Sequence, residues 1–154
     1  MNTRVIGIGL AVVVAVLTVV LWPKKKLEPE DQVRALVAEM IAATEKRDLA
    51  AMLEPVDENF KGPGGTGKPE LKAIFFSQVM RGNAVGVFNP ELEVTMTSDD
   101  HAEVRGRFLF VGGKVPGQPA DPSSALATWD ITAEVVRAGS EWKFVRASYK
   151  NAVQ

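Results

Sequence analysis

The chain predicts an α+β domain, helices first and strands second, and three observations carry that reading. Apolar side chains between residues 29 and 44 recur at helical spacing. After Gly82 the spacing drops to every second residue. Two short polar turns, Ser98-Asp99-Asp100-His101 and Ala138-Gly139-Ser140-Glu141, then divide the second half into hairpin strands. Helices followed by a meander imply three N-terminal helices packed on one face of a curved antiparallel sheet.

The first helix is the clearest element. Val33, Leu36, Val37, Met40, Ile41 and Thr44 form one stripe over Pro29–Thr44. Pro29 suits an early helical position, Glu30 and Asp31 sit at the positive end of the dipole, and Lys46 and Arg47 follow its negative end. Asp48 caps a short second helix through Leu49, Met52 and Leu53, which Pro55 stops. A brief strand, Asp57–Lys61, runs into the turn-rich Gly62-Pro63-Gly64-Gly65-Thr66-Gly67. Pro69 opens a third helix with Leu71, Ile74, Phe75 and Val79 inward and Gly82 as its stop. In the strands, Leu92, Val94 and Met96 alternate with Glu93, Thr95 and Thr97, and Val104, Gly106, Phe108 and Phe110 alternate with Arg105 and Arg107. The loop Gly112–Ser124 holds three Gly and three Pro and is expected to be irregular, serving as a lid, a partner-binding loop or a long solvated hairpin. Leu126–Arg137 and Trp142–Lys150 are the last two strands.

Ahead of this domain, Val5 to Trp22 carries no charge, and Lys24, Lys25 and Lys26 close the run. As a helix it spans roughly 27 Å, close to the thickness of a bilayer's hydrocarbon core. A cleaved secretory signal and a buried soluble helix are the rival readings. The run ends Leu21-Trp22-Pro23-Lys24 with no small-residue cleavage site, and Trp22 before lysines suits the headgroup interface. The expectation is a single-pass anchor at residues 5–22, after a tail at 1–4 and before a basic linker at 23–28. Lys24–Lys26 outweigh Arg4 and the amino terminus only slightly, which tips the C-terminal domain toward the cytoplasmic side.

Composition excludes several functions. All 19 acidic residues but only 14 of the 18 basic ones follow residue 26, a balance of about −5, so nucleic acid is not an expected partner. Without cysteine there is no disulfide, thiol nucleophile or thiolate metal site. One histidine leaves no His-rich metal site, and no cofactor is expected.

Three stretches carry a family resemblance: the opening helix running into Lys46-Arg47-Asp48-Leu49, the strand Asp57-Glu58-Asn59-Phe60 before a Gly-rich turn, and the closing Gly139-Ser140-Glu141-Trp142-Lys143-Phe144-Val145. With the element order, they resemble the nuclear transport factor 2-like superfamily, the cone-shaped fold of ketosteroid isomerases and SnoaL-like cyclases. The resemblance covers about residues 28–151, with the domain itself at 29–151. More narrowly, the chain is similar to small bacterial members that carry this domain behind one hydrophobic N-terminal segment. It implies a cell-membrane location, a cavity between sheet and helices, and self-association through the sheet.

Candidate chemistry is sparse. Gly62-Pro63-Gly64-Gly65-Thr66-Gly67-Lys68 imitates a phosphate-binding loop, but Pro69 stands where a hydroxyl should reach Mg²⁺, and Pro63 removes a backbone donor. His101, the default general base, falls in an Asp-rich turn expected to be solvated. Isomerase-like chemistry needs a carboxylate base and an oxyanion donor. Asp57, Asp130 and Glu134 are the carboxylates considered, and Tyr149 is the sole tyrosine. Asp130 and Glu134 share a strand face with Thr128 and Thr132, opposite Trp129, Ile131, Ala133 and Val135, so cross-strand ion pairs with Arg105 and Arg107 account for them. Asp57 and Tyr149 remain as catalytic candidates. Phe75, Trp129 and Phe108 are ligand-binding candidates among aromatics that otherwise fill the core, Phe76, Phe110, Trp142 and Phe144 included. Three roles are therefore expected in turn: a non-enzymatic binding domain for a small apolar ligand or protein partner, a small lyase or isomerase using Asp57 and Tyr149, and a structural subunit of an envelope assembly.

Overall fold

A computed structural model describes residues 26–80, 85–112 and 125–152. Helix α1 (Pro29–Lys46) and the short α2 (Leu49–Leu53) lead into β1 (Val56–Lys61). A 3₁₀ turn at Pro63–Gly65 precedes α3 (Lys68–Phe75), which widens into a π turn at Phe76–Met80. Four long strands follow: β2 (Val85–Ser98), β3 (His101–Gly112), β4 (Ala125–Ala138) and β5 (Glu141–Asn151). The anchor expected at residues 5–22, the helix stop at Gly82 and the loop after Gly112 lie outside the described residues. Among the described residues no helix is long and apolar enough to cross a membrane.

The sheet order is β1-β5-β4-β3-β2. The four long strands pair antiparallel, as expected, but β1 joins β5 in parallel, with Val56 opposite Phe144. A parallel partner distant in sequence leaves no local signal, because no tight turn links the two strands. Alternation sorts the side chains by face. Val94, Val104, Phe108, Ala133, Val135 and Phe144 turn toward the helices and are buried with Val33 and Val37 of α1. Charged side chains cover the outer face.

Helix α1 begins and ends as its sequence dictates. Pro29 occupies its first turn beside Glu30 and Asp31, and its end closes on Arg47 in the left-handed region (φ 59°). The Arg47 and Asp48 N–H groups donate back to Thr44 and Ala43. Polar side chains then fasten it to the sheet at three places. Arg34 Nη1 donates to the Leu92 carbonyl (3.1 Å), Glu45 Oε1 accepts from Val87 N–H (3.1 Å), and Gln32 Oε1 accepts from Trp142 Nε1 (3.0 Å). The Asp48 side chain caps α2 by accepting from Ala51 N–H.

Two expectations are corrected. Ile74, placed inward by helical spacing, is 38 % exposed. Leu71, Phe75 and Val79 stay inward at every fourth residue, a spacing wider than 3.6 that the π turn accommodates. Phe76, grouped with the core aromatics, is also exposed. Strand β2 begins at Val85, and a bulge between Phe88 and Glu91 takes up Asn89 and Pro90.

This packing ranks the aromatics. Phe144→Ala should lower the unfolding free energy by about 3–5 kcal/mol, whereas Phe76→Ala should change it by no more than about 0.5 kcal/mol. Urea unfolding followed by far-UV circular dichroism measures both.

Candidate functional site

The residues singled out in the sequence do not converge on one point. Asp57 is half-buried on β1, where its Oδ1 accepts from Asn59 N–H (2.8 Å) in an Asx turn. Tyr149 lies five residues along β5 from Phe144, the partner of Val56, which separates it from the start of β1 by roughly 16 Å of strand. Phe75 belongs to a second cluster beneath the helices, with Ala43, Met52 and Val79. Phe108 and Trp129, by contrast, are direct partners across β3 and β4.

Around that pair the helix-facing side of the sheet becomes an aromatic floor. Tyr149 meets Trp129 edge to face, with ring centroids 5.4 Å apart and planes at 85°. Tyr149 is 41 % exposed, so this end of the sheet is open to solvent. Leu92, Gly106, Ile131 and Tyr149 form one row across β2–β5, and Phe108 and Trp129 lie in the next.

Gly106 marks a close approach. A Cβ there would lie 3.1 Å from Asn89 Nδ2, 3.0 Å from a ring carbon of Phe108 and 3.1 Å from the Glu91 carbonyl. The Asn89 amide, offset by the bulge, fills that space. Both Nδ2 and Oδ1 are fully buried and neither has a hydrogen-bond partner. Leaving such a group unsatisfied costs about 1–3 kcal/mol, so this amide is the most strained polar feature of the apolar face. Sequence reading passed over it, although a Gly inside an alternating strand and an Asn-Pro step inside β2 are its two signals.

His101 takes part in a compact turn network. Its Nδ1 lies 2.8 Å from Asp100 Oδ1 and 3.3 Å from Ser98 Oγ, which itself donates to Asp100 (2.6 Å). Ser98, then His101, hold the Asp100 carboxyl below the ordinary carboxylate range. Serine and aspartate both address the same ring nitrogen, so this is not a proton relay, which needs one partner on each. An open depression of about 410 Å³ beside this turn is lined by Glu28, Pro29, Glu30 and Met96–Asp99.

Of the cross-strand ion pairs expected of Arg105 and Arg107, the outer face carries Arg107 with Asp130, whereas Glu134 and Arg105 find other partners. Arg107 reaches Asp130 with Nε (2.8 Å) and Nη2 (3.3 Å), Arg146 lies 3.9 Å from Glu134, and Arg105 pairs along its own strand with Glu103 (2.6 Å). Arg107 depresses the Asp130 pKa, and Asp130 raises that of Arg107 in return. A carboxylate depressed in the folded state stabilises the fold above its unfolded value, near 3.9, and loses that contribution as pH falls through the lower folded value. Asp130→Asn should therefore flatten the fall in melting temperature below about pH 4. Thermal melts from pH 2 to 6 read this directly.

No family model and no curated protein matches the sequence. Solved structures do. Bd1075 of Bdellovibrio bacteriovorus superposes with a TM-score of 0.65 at 15 % identity, over 80 % of this chain, which spans only 41 % of that protein. The hexachlorocyclohexane dehydrochlorinase LinA-type3 of Novosphingobium barchaimii LL02 gives 0.61 at 17 % identity, covering 80 % of this chain and 86 % of that one. An NTF2-like protein of unknown function from Pseudomonas putida KT2440 gives 0.63 at 16 % identity, covering 79 % and 84 %. At such identities the likeness is one of fold: helices over a curved five-stranded sheet, the domain has the nuclear transport factor 2-like fold.

Proposed function

We propose that this domain is a non-enzymatic binding module, tethered to the bacterial cell membrane by residues 5–22, whose ligand is a small apolar molecule with one polar head. The observation that carries the reading is the Asn89 amide, buried on the apolar side of the sheet with neither atom partnered. An amide offers a donor and an acceptor together, so it suits a head group that supplies both, such as a carboxylic acid or a lactam. From the Asn89 amide, seated over Gly106 on β3, to Tyr149 on β5 is two strand spacings, roughly 10 Å, which bounds the length of the ligand body. Phe108, Ile131 and Trp129 would floor it, and the exposed Tyr149 ring stands at its open end.

The isomerase-type alternative draws support from the likeness to the Novosphingobium dehydrochlorinase. Asp57 accepts from Asn59 N–H in its own turn, and Tyr149 packs against Trp129 on β5, so neither side chain is held toward a substrate shared with the other, as a base and an oxyanion donor must be. Binding is the better-supported role.

Native mass spectrometry of the full chain, isolated from its own host in mild detergent, tests the reading. The expected result is an additional mass of a few hundred daltons (the size of a ~10 Å ligand) on the wild type, lost from Asn89→Leu and retained by Phe76→Ala. A ligand-free wild type, or a ligand that Asn89→Leu keeps, would overturn it.

A further inference from the structure

The two ends of the domain differ in what they expose, and the chain enters at one of them. Helix α1 begins beside the two hairpin turns. Gln32, in its first turn, donates from Nε2 to the Leu27 carbonyl (2.7 Å) and accepts at Oε1 from Trp142 Nε1. The Arg137 guanidinium lies over the Trp142 ring, 5.0 Å from its centroid, and Arg137 Nη2 donates to the Asp99 carbonyl (2.7 Å). One continuous set of contacts thus ties Leu27 to both turns. The surface here is acidic: Glu28, Glu30 and Asp99 line the depression beside Met96, and Arg34 answers Glu30. The opposite end is apolar. The 18 residues of α1, roughly 27 Å of helix, separate the two. There Glu45 holds Val87, Arg47 Nε donates to the Val79 carbonyl (2.9 Å), and Phe76 and Phe88 are exposed. The row Leu92–Gly106–Ile131–Tyr149 lies toward this end. Along β2 it stands four residues, roughly 13 Å, from the row Met96–Ala102–Val135–Phe144 near the turns.

Neither broad side of the domain is suited to lie on a bilayer. The exposed face of α1 carries Asp31 and Glu39, and the outer sheet face carries the row Glu91, Arg107, Asp130 and Lys150. Pressing either into the interface would take charges out of water. We infer, on the anchored reading proposed above, that the turn end is the surface this domain sets toward the bilayer. The Tyr149 end then stands away from it, in water. Leu27 is 55 % exposed and follows Lys26 directly, so on that reading α1 starts at the headgroup layer. Lys24, Lys25 and Lys26 fall between two negative surfaces, the headgroups and the acidic turn end, and their charge serves both. The short tether sets the orientation, without any attraction of the turn end for lipid. A ligand bound between Asn89 and Tyr149 therefore arrives through water rather than by rising out of the bilayer.

The absence of cysteine makes the test clean, because one introduced thiol takes one fluorophore. Ser140→Cys marks the second turn and Phe76→Cys the far end, both at exposed positions. The full chain is reconstituted in vesicles of phosphatidylcholine and phosphatidylglycerol, with thermal melts confirming that each variant is folded. Energy transfer to rhodamine-labelled headgroups then reads the height of each label. The Ser140 label should lie lower, by a difference approaching the length of α1, roughly 27 Å. A flexible Gly-Ser insert of about six residues between Lys26 and Leu27, its ends roughly 13 Å apart on average, frees the domain to turn and should abolish that difference. Equal heights without the insert, or a lower Phe76 label, would overturn the inference and leave the anchor standing. A difference that survives the insert would overturn it too, because a surface attraction and not the tether would then set the orientation. A chain that fails to float with the vesicles on a density gradient would overturn the anchored reading itself, and the inference with it.

Discussion

The register of β3 against β4 is the constraint from which the two faces of this domain follow. Val104 opposite Ala133 and Phe108 opposite Trp129 place apolar groups under the helices, and the same register sets Arg107 opposite Asp130 on the far side. Side chains alternate with a period of two, so a slip of one residue would bring Arg105 and Arg107 beneath Val33 and Val37. Burying such charges costs several kcal/mol apiece, far more than a cross-strand ion pair returns on a solvated face. The core thus selects the register, and the outer charge row is a consequence of that selection. Two-residue turns fix the register further, at Asp99-Asp100 and at Gly139-Ser140, where Gly139 adopts φ 66° without strain.

Irregularity in the sheet is confined to places with a purpose in the packing. The bulge at Phe88/Glu91 releases Asn89 and Pro90 from the ladder, and only the missing Cβ of Gly106 gives the Asn89 amide its place. The bulge at Glu134/Val135 lets Phe144 and Ala147, on either side of it, both turn inward. Helix α1 is held over this surface by hydrogen bonds from Arg34, Glu45 and Gln32 as well as by its apolar stripe. Those bonds give it a single position, which burial alone would not specify.

Most of the fold was legible because it is written locally. The stripe from Val33 to Thr44, the caps at Asp48 and Pro69, and the alternation around Val104 and Ala133 each depend on neighbours a few residues away. Ile74 was misplaced because the widening of α3 into a π turn has no sequence period to announce it. The parallel partner of β1 was invisible for a related reason, since no turn joins it to β5. The site was less legible still. Asp57 and Tyr149 were selected by chemical type, whereas Asn89 acquires its significance from a bulge and a distant glycine that only the folded sheet brings together.

The parallel pairing of β1 with β5 orders events in time. Phe144 N–H donates to the Pro55 carbonyl, and Lys143 Nζ to that of Glu54, across 89 positions of chain. As the polypeptide leaves the ribosome, the helices and β1 appear first, yet the strand that receives them is made last. Until it arrives, Val56 and Phe60 have no sheet to enter, and the apolar stripe of α1 has nothing complete to lie on. The helical half must therefore wait exposed while the meander is built. Closure of the domain is a late, non-local step governed by β5.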